Sequence, residues 1–445
     1  MVERCAFVFP GQGAYLPGGL ARLADDEPLV SETLRELDAA AARLGRSAPS
    51  RFLLDERAPA LEELVRDRPA ELHLALFAAG TALFRLLTER HHLVPDVLLG
   101  HSFGELVALT AAGVYDPADG LALVAARDEA FAARPPEPGG MLALELSATR
   151  TEALLCGLGE WEVTVAADNS PRQCVVSGPT GALERVRRQA GAVGVRAGLL
   201  SVPYAFHHRL LAPVAGEFSR RAGALRAGPA RHLLHSAILG RRVDGDDAVA
   251  ELVAAHLVRP TRFTDAVRLL HAQGVELFVE CGPRGVLSAL VTATVPGVRT
   301  FAPLRRRTSG PELAAEVAAL NTDRPAPPPP PPLPLPAAAS ASPPAPVRAR
   351  EPVADSLPEP GEVVSVLREL YAVALGYPPE VLTGDADLEA DLGVDSIKQT
   401  ELFAQAAARF GRTLPEEGSR LTSHTTLDAL AELLRTLPTA PGVSA

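Results

Sequence analysis

The chain has 445 residues, 47% of them apolar, and a formal net charge of −11. That is enough apolar length to bury cores in two or three domains, and the acidic balance argues against nucleic acid as a partner. Its four cysteines, Cys5, Cys156, Cys174 and Cys281, lack C-x-x-C spacing, which argues against a zinc site or a disulfide framework and suits a reducing cytoplasm.

From the N-terminus, MVERCAFVFPGQG is too short and polar for a signal peptide, and Cys5 to Phe9 reads as a buried core strand. The longest apolar run, around Leu74 to Phe84, is short for a bilayer and meets Arg85, so no membrane contact is expected. Val94 to Leu99 reads as a second buried strand, and Gly104 to Gly113 as a helix that ends on a glycine cap. Between them lies Gly100-His101-Ser102-Phe103-Gly104-Glu105, a serine between two glycines at a strand-to-helix turn. Such a turn exposes a strained hydroxyl beside the N-H groups of a helix N-terminus, where an oxyanion can develop. His101 and Glu105 are read as orienting the turn.

Further on, the order of elements changes. Gly140 to Leu146, a helix near Thr149 to Gly157, Trp161 to Asn169, Cys174 to Gly178, a helix near Gly181 to Ala190, and Val195 to Val202 give β-α-β-β-α-β. This is a ferredoxin-like signature over 139–203, inserted into a larger α/β body that regains a core strand at Glu276 to Cys281. The fold expected for 1–323 is therefore an α/β-hydrolase-like body with a parallel sheet and an inserted subdomain.

Residues 324–358 hold 14 prolines and an unbroken run of six, the composition of an extended linker. Residues 359–445 carry 14 Asp/Glu against 6 Lys/Arg, so most of the negative charge lies there. Within 359–438 three helical patterns recur: Val363, Leu367, Leu370 and Ala374; then Leu402, Phe403, Ala406 and Phe410; then Leu427, Leu430 and Leu434. They predict a separate all-α bundle. Its second helix opens just after Asp395-Ser396, a helix mouth that suits a phosphodiester, although Ser396 taken alone reads better as a plain N-cap.

A reactive serine needs a base, and His207 in YAFHHR is the leading candidate downstream of Ser102. With FPGQGA (Phe9 to Ala14), GHSFGE, an arginine 25 residues after the serine, AADNS (Ala166 to Ser170), AFH (Ala205 to His207), RPTRF (Arg259 to Phe263) and ECGP (Glu280 to Pro283), residues 1 to about 320 resemble the malonyl-CoA:acyl-carrier-protein transacylase family, including acyltransferase domains of polyketide synthases. The resemblance implies Ser102 as acyl nucleophile and His207 as its base and later acid. It implies backbone N-H groups of Gln12 and Phe103 in the oxyanion hole, and Arg127 as the clamp for a malonyl carboxylate. Asn169 and His256 match positions that line the site or, through a backbone carbonyl, orient the histidine. Phe206 resembles the malonyl-type motif and would crowd a C2 methyl group, whereas Tyr204 resembles the branched-extender type. His73 stands where the family usually has glutamine, and His208 where it usually has serine.

Residues 361 to 437, with LGVDSIKQ, resemble acyl and peptidyl carrier proteins, and the DSIK form is similar to carriers of iterative polyketide and polyunsaturated fatty acid synthases. This implies 4′-phosphopantetheine esterified to Ser396, and hence a phosphopantetheinyl transferase as partner. The function implied is malonyl transfer from coenzyme A to a carrier thiol, its own or another carrier's, in polyketide or specialised fatty acid biosynthesis, with a ketosynthase acting in trans. Two other readings use the same residues: a hydrolase that clears wrong acyl groups from carriers, and a delivery module in which only the carrier works.

Overall fold

The structure is a computed structural model that describes residues 4–322 and, towards the C-terminus, 363–368, 371, 402–403, 406–407, 409–410, 412 and 426–438. The chain divides into two compact units, Met1–Pro330 and Pro331–Ala445.

The large unit is built on β1 (Arg4–Phe9), whose last four residues are buried on both faces, as befits the centre of a parallel sheet. It pairs in parallel with β2 (Val97–Gly100) on one side and with β10 (Val275–Glu280) on the other. The register sets Phe9 opposite Gly100 and Val8 opposite Glu280, so the three carboxyl ends share one edge, the usual place for a site in an open α/β sheet. β11 (Arg299–Phe301) and β7 (Leu234–Ser236) extend the sheet in parallel, giving the order β11-β10-β1-β2-β7. The two-residue β8 (Arg241–Arg242) runs antiparallel at the edge, so the sheet is mixed rather than purely parallel.

Helices cover the sheet. The longest, counting its continuation in a π-turn through Arg90, is Pro69–Arg85, buried without a break from Leu72 to Leu83. At 22 residues it is longer than the apolar run suggests and is long and apolar enough to cross a membrane, yet 83% of its most apolar stretch is buried inside the fold. It is a core helix. Helix Gly104–Ala111 is buried at every residue. Helix Pro117–Ala133 starts where Asp116 accepts from the N-H groups of Ala118 and Asp119, with Pro117 at its first position.

The insertion follows the β-α-β-β-α-β order: β3 (Gly140–Leu144), helix Ala148–Leu158, β4 (Thr164–Ser170), β5 (Gln173–Gly178), helix Thr180–Ala192 and β6 (Ala197–Leu199). Its strands lie in the order β6-β3-β5-β4, each neighbouring pair antiparallel, around a core that includes Leu142, Leu155, Val176, Leu183 and Val186. β4 starts later than its sequence pattern suggests, because Trp161 lies in a turn and is 72% exposed. A fifth strand comes from the body: β9 (Thr261–Arg262) pairs in parallel with β4, and Thr264 Oγ1 donates to Asp168 Oδ1 at 2.8 Å. These bonds fix the small sheet on the body.

In the C-terminal unit, Val363, Leu367, Tyr371, Leu402, Phe403, Ala406, Leu427, Leu430 and Leu434 form one buried cluster. All three helical patterns contribute to it. Leu370, Ala374, Ser396 and the expected linker lie outside the described residues.

Candidate active site

Ser102 sits just beyond β2 with φ +52, a left-handed conformation that a non-glycine residue adopts only when its surroundings impose it. Both flanking glycines are required by contact. A Cβ on Gly100 would collide with the backbone of Glu105, and one on Gly104 with the carbonyl of Phe9 at the end of β1. The turn therefore packs backbone against backbone on both sides, which drives the serine side chain outward.

Ser102 Oγ lies 2.7 Å from His207 Nε2. His207 Nδ1 lies 2.8 Å from the carbonyl oxygen of Arg259, and because a carbonyl only accepts, Nδ1 carries the proton and Nε2 is the free base. His207 also has positive φ, at +60. Burial pushes its pKa down to about 4, and the nearby His101 and Arg127 push the same way, against the Arg259 hydrogen bond. At neutral pH the imidazole is thus uncharged and able to take a proton.

A cavity of about 510 Å³ opens beside this pair and is lined by Gln12, Ser102, Phe103, Arg127, Asn169, Phe206 and His207, among others. Arg127 is only 3% exposed, and its guanidinium carbon lies 5.8, 5.3 and 5.3 Å from the ring centres of Phe103, Phe131 and Phe206. Ring faces hold a cation while leaving its in-plane N-H edge available, which suits a bidentate carboxylate. Burial lowers the guanidinium pKa and adjacent Asp128 opposes that effect, but a guanidinium stays charged in proteins.

The arrangement sets a serine hydroxyl against a neutral imidazole and, in the same cavity, a buried guanidinium. Residues 6–322 match the family model described as acyl transferase domain, and residues 365–434 match the phosphopantetheine attachment site.

The chain belongs to the acyl transferase domain family.

Its C-terminal module is of the kind to which 4′-phosphopantetheine is covalently attached. Over 291 residues, 64% of this chain, it is 36% identical to polyketide synthase GfsA of Streptomyces halstedii. It is 32% identical to the malonyl CoA-acyl carrier protein transacylase of Escherichia coli strain K12, covering 65% of this chain and 92% of that protein. The acyltransferase domain from the second module of the salinomycin polyketide synthase superposes with a TM-score of 0.64 at 33% identity, covering 73% of this chain and 74% of that one. The chain spans only 4% of the length of GfsA, and 13% and 14% of the two relatives matched next.

Within this domain the other candidates are placed as follows. Asn169 Oδ1 lies 2.7 Å from His101 Nε2, and Asn169 Nδ2 donates to Gln173 Oε1 at 3.1 Å, which fixes the residue before Ser102 to β4. Gln12 follows β1 at the cavity wall. His256 is not among the cavity-lining residues; it is buried beside Phe218, and the carbonyl that holds His207 belongs to Arg259, three residues on. His208 is structural: its Nδ1 accepts from the N-H of Leu210, and its Nε2 donates to the carbonyl of Glu162, 3.1 Å away. Glu105 is fully buried and accepts from Ser236 Oγ and the N-H of Ile238, and burial pushes its pKa up to about 8. Ser396 lies outside the described residues. Sequence reasoning missed the ring of Phe131, stacked at 4.8 Å on Tyr204 beside Phe206, and the carboxylate of Asp128; only their spacing from Arg127 on one helix could have signalled them. Among the described residues no group of three or more His, Cys, Asp or Glu is placed to hold a metal.

Proposed function

We propose that this chain moves a malonyl group from coenzyme A to the thiol of a 4′-phosphopantetheine arm, with the arm on Ser396 of the same chain as one acceptor. The observation that carries the reading is the pairing, in one cavity, of the 2.7 Å Ser102–His207 contact with the ring-caged guanidinium of Arg127.

In the first half-reaction His207 Nε2 takes the hydroxyl proton while Ser102 Oγ attacks the thioester carbonyl. The oxyanion is received by backbone N-H groups of Gln12 and Phe103. The Arg259 carbonyl steadies the imidazolium through Nδ1-H, and Nε2-H protonates the departing coenzyme A sulfur. In the second half-reaction His207 accepts the proton of the acceptor thiol as its sulfur attacks the ester, then returns a proton to Ser102 Oγ. Arg127 holds the malonyl carboxylate throughout, a role of no use to a hydrolase of simple acyl groups. Phe206 packs edge-on against Phe131 at 5.8 Å and against Tyr204 at 6.0 Å, so the ring is wedged where it crowds a C2 methyl group. Elongation calls for a ketosynthase in trans, and arming of Ser396 for a phosphopantetheinyl transferase.

The test is transfer of labelled acyl groups from malonyl-CoA and methylmalonyl-CoA to the pantetheinylated chain. Malonyl should load faster, and Ser102→Ala should abolish loading by either; faster methylmalonyl loading overturns the specificity, and persistent loading in the variant overturns the mechanism.

A further inference from the structure

Arg127 does not face its cavity alone. Its Nη1 lies 3.4 Å from Asp128 Oδ1, a long contact for a charge-assisted pair. The same oxygen lies 2.7 Å from His73 Nδ1, on the buried helix Pro69–Arg85. A carboxylate only accepts, so Nδ1 carries the proton and the shorter bond binds Asp128 to His73. The other carboxylate oxygen, Oδ2, is buried and accepts no hydrogen bond, and Arg127 Nε donates none. The two neighbours thus hold, between them, the unused parts of a bidentate fork. The His73 ring is also stacked on Phe103, with centres 5.3 Å apart and planes 23° apart, against the residue that follows Ser102.

We propose that His73 is a positioning residue that withholds Asp128 from Arg127 and so leaves the guanidinium edge open for the carboxylate of a short dicarboxylic acyl thioester; the proposal rests on the reading of Arg127 given above. Without the His73 donor, Asp128 gains most by turning both oxygens onto the buried guanidinium. An internal carboxylate then occupies the place that the acyl group's carboxylate needs. His73 does not line the cavity, so its effect on substrate passes through Asp128. Dicarboxylic acyl groups are penalised, whereas acyl groups without a second carboxylate are not.

The experiment measures KM and kcat for malonyl-CoA and acetyl-CoA in the full chain and in His73→Ala, His73→Gln, Asp128→Asn, the His73→Ala/Asp128→Asn double variant and Arg127→Ala. His73→Ala should raise KM for malonyl-CoA about tenfold, the effect of about one hydrogen bond to a charged group, with kcat nearly unchanged and acetyl-CoA kinetics unmoved. His73→Gln, whose amide can still donate to Asp128, should stay near wild type. The double variant should recover the malonyl-CoA KM, because an amide cannot form the internal ion pair; a merely structural histidine would not be rescued this way. Should the alanine variant fail to fold, His73→Leu, which keeps the volume without a donor, replaces it. An unchanged KM, or a loss shared equally by both substrates and not rescued by Asp128→Asn, overturns the proposal. Arg127→Ala separates the two readings: if it still favours malonyl-CoA as the wild type does, the clamp itself is wrong.

Discussion

The environment of His207 makes a quantitative demand on pH. Its imidazole is 4% exposed and is carried from an ordinary 6.5 down to about 4, mostly by burial, which sets about 3 kcal/mol against protonation. The base is therefore already neutral well below pH 6, and kcat/KM for acylation of Ser102 should be flat from about pH 8 to about pH 5 and fall only as pH approaches 4. Stability follows the same group. The unfolded chain takes up this proton below 6.5 and the folded chain only near 4, so the contribution is complete above 6.5 and is lost as pH falls through that window. Between pH 7 and pH 4 the wild type should lose up to about 3 kcal/mol more than His207→Gln in denaturant unfolding. The comparison with the variant is needed because His101, His235 and His256 are likewise lowered by burial and add their own acid sensitivity. The assays are pre-steady-state acylation with malonyl-CoA from pH 4 to pH 8, and paired unfolding curves. An acid limb centred near 6.5, or parallel stability curves for the two proteins, would refute the reasoning.

Two substitutions test the elbow. Gly104→Ala places a methyl group against the carbonyl of Phe9, which also accepts from the N-H of His101 at 2.9 Å, so neither backbone can yield freely; it should cost about 1–3 kcal/mol in denaturant unfolding and abolish the acylation burst. Glu105→Gln should be tolerated or stabilising at alkaline pH, since the carboxyl pKa is raised to about 8 and its stability contribution is lost as pH rises from 4.5 through that value. Thermal unfolding at pH 6 and pH 9 checks this, and a variant less stable than wild type at pH 9 would contradict it.

The sequence made much of the site legible because backbone constraints leave strong local traces. Gly100 and Gly104 are contact-imposed, and Ser102 between them marks the turn by composition alone. The β-α-β-β-α-β order was readable because strand and helix periods differ, and Ser147 and Gly159, which cap helix Ala148–Leu158, set its ends. What escaped was tertiary. Two-residue β9 is too short to carry a period, yet it fixes the small sheet beside Asp168. The carbonyl that orients His207 has no side-chain signature, so the match to His256 did not identify Arg259. His73 and Asp128 lie 55 residues apart on two helices, and only packing brings them together.

The central claim is that Ser102 relays a malonyl group to a carrier thiol. Intact-protein and peptide mass spectrometry after brief exposure to malonyl-CoA tests it directly. The chain without its pantetheine arm should carry one malonyl group, on the peptide that contains Ser102, and the pantetheinylated chain should carry a second, on the arm, with neither present in Ser102→Ala. A malonyl group found on the arm of that variant at the wild-type rate, or on any residue other than Ser102 in the chain without the arm, would contradict the account.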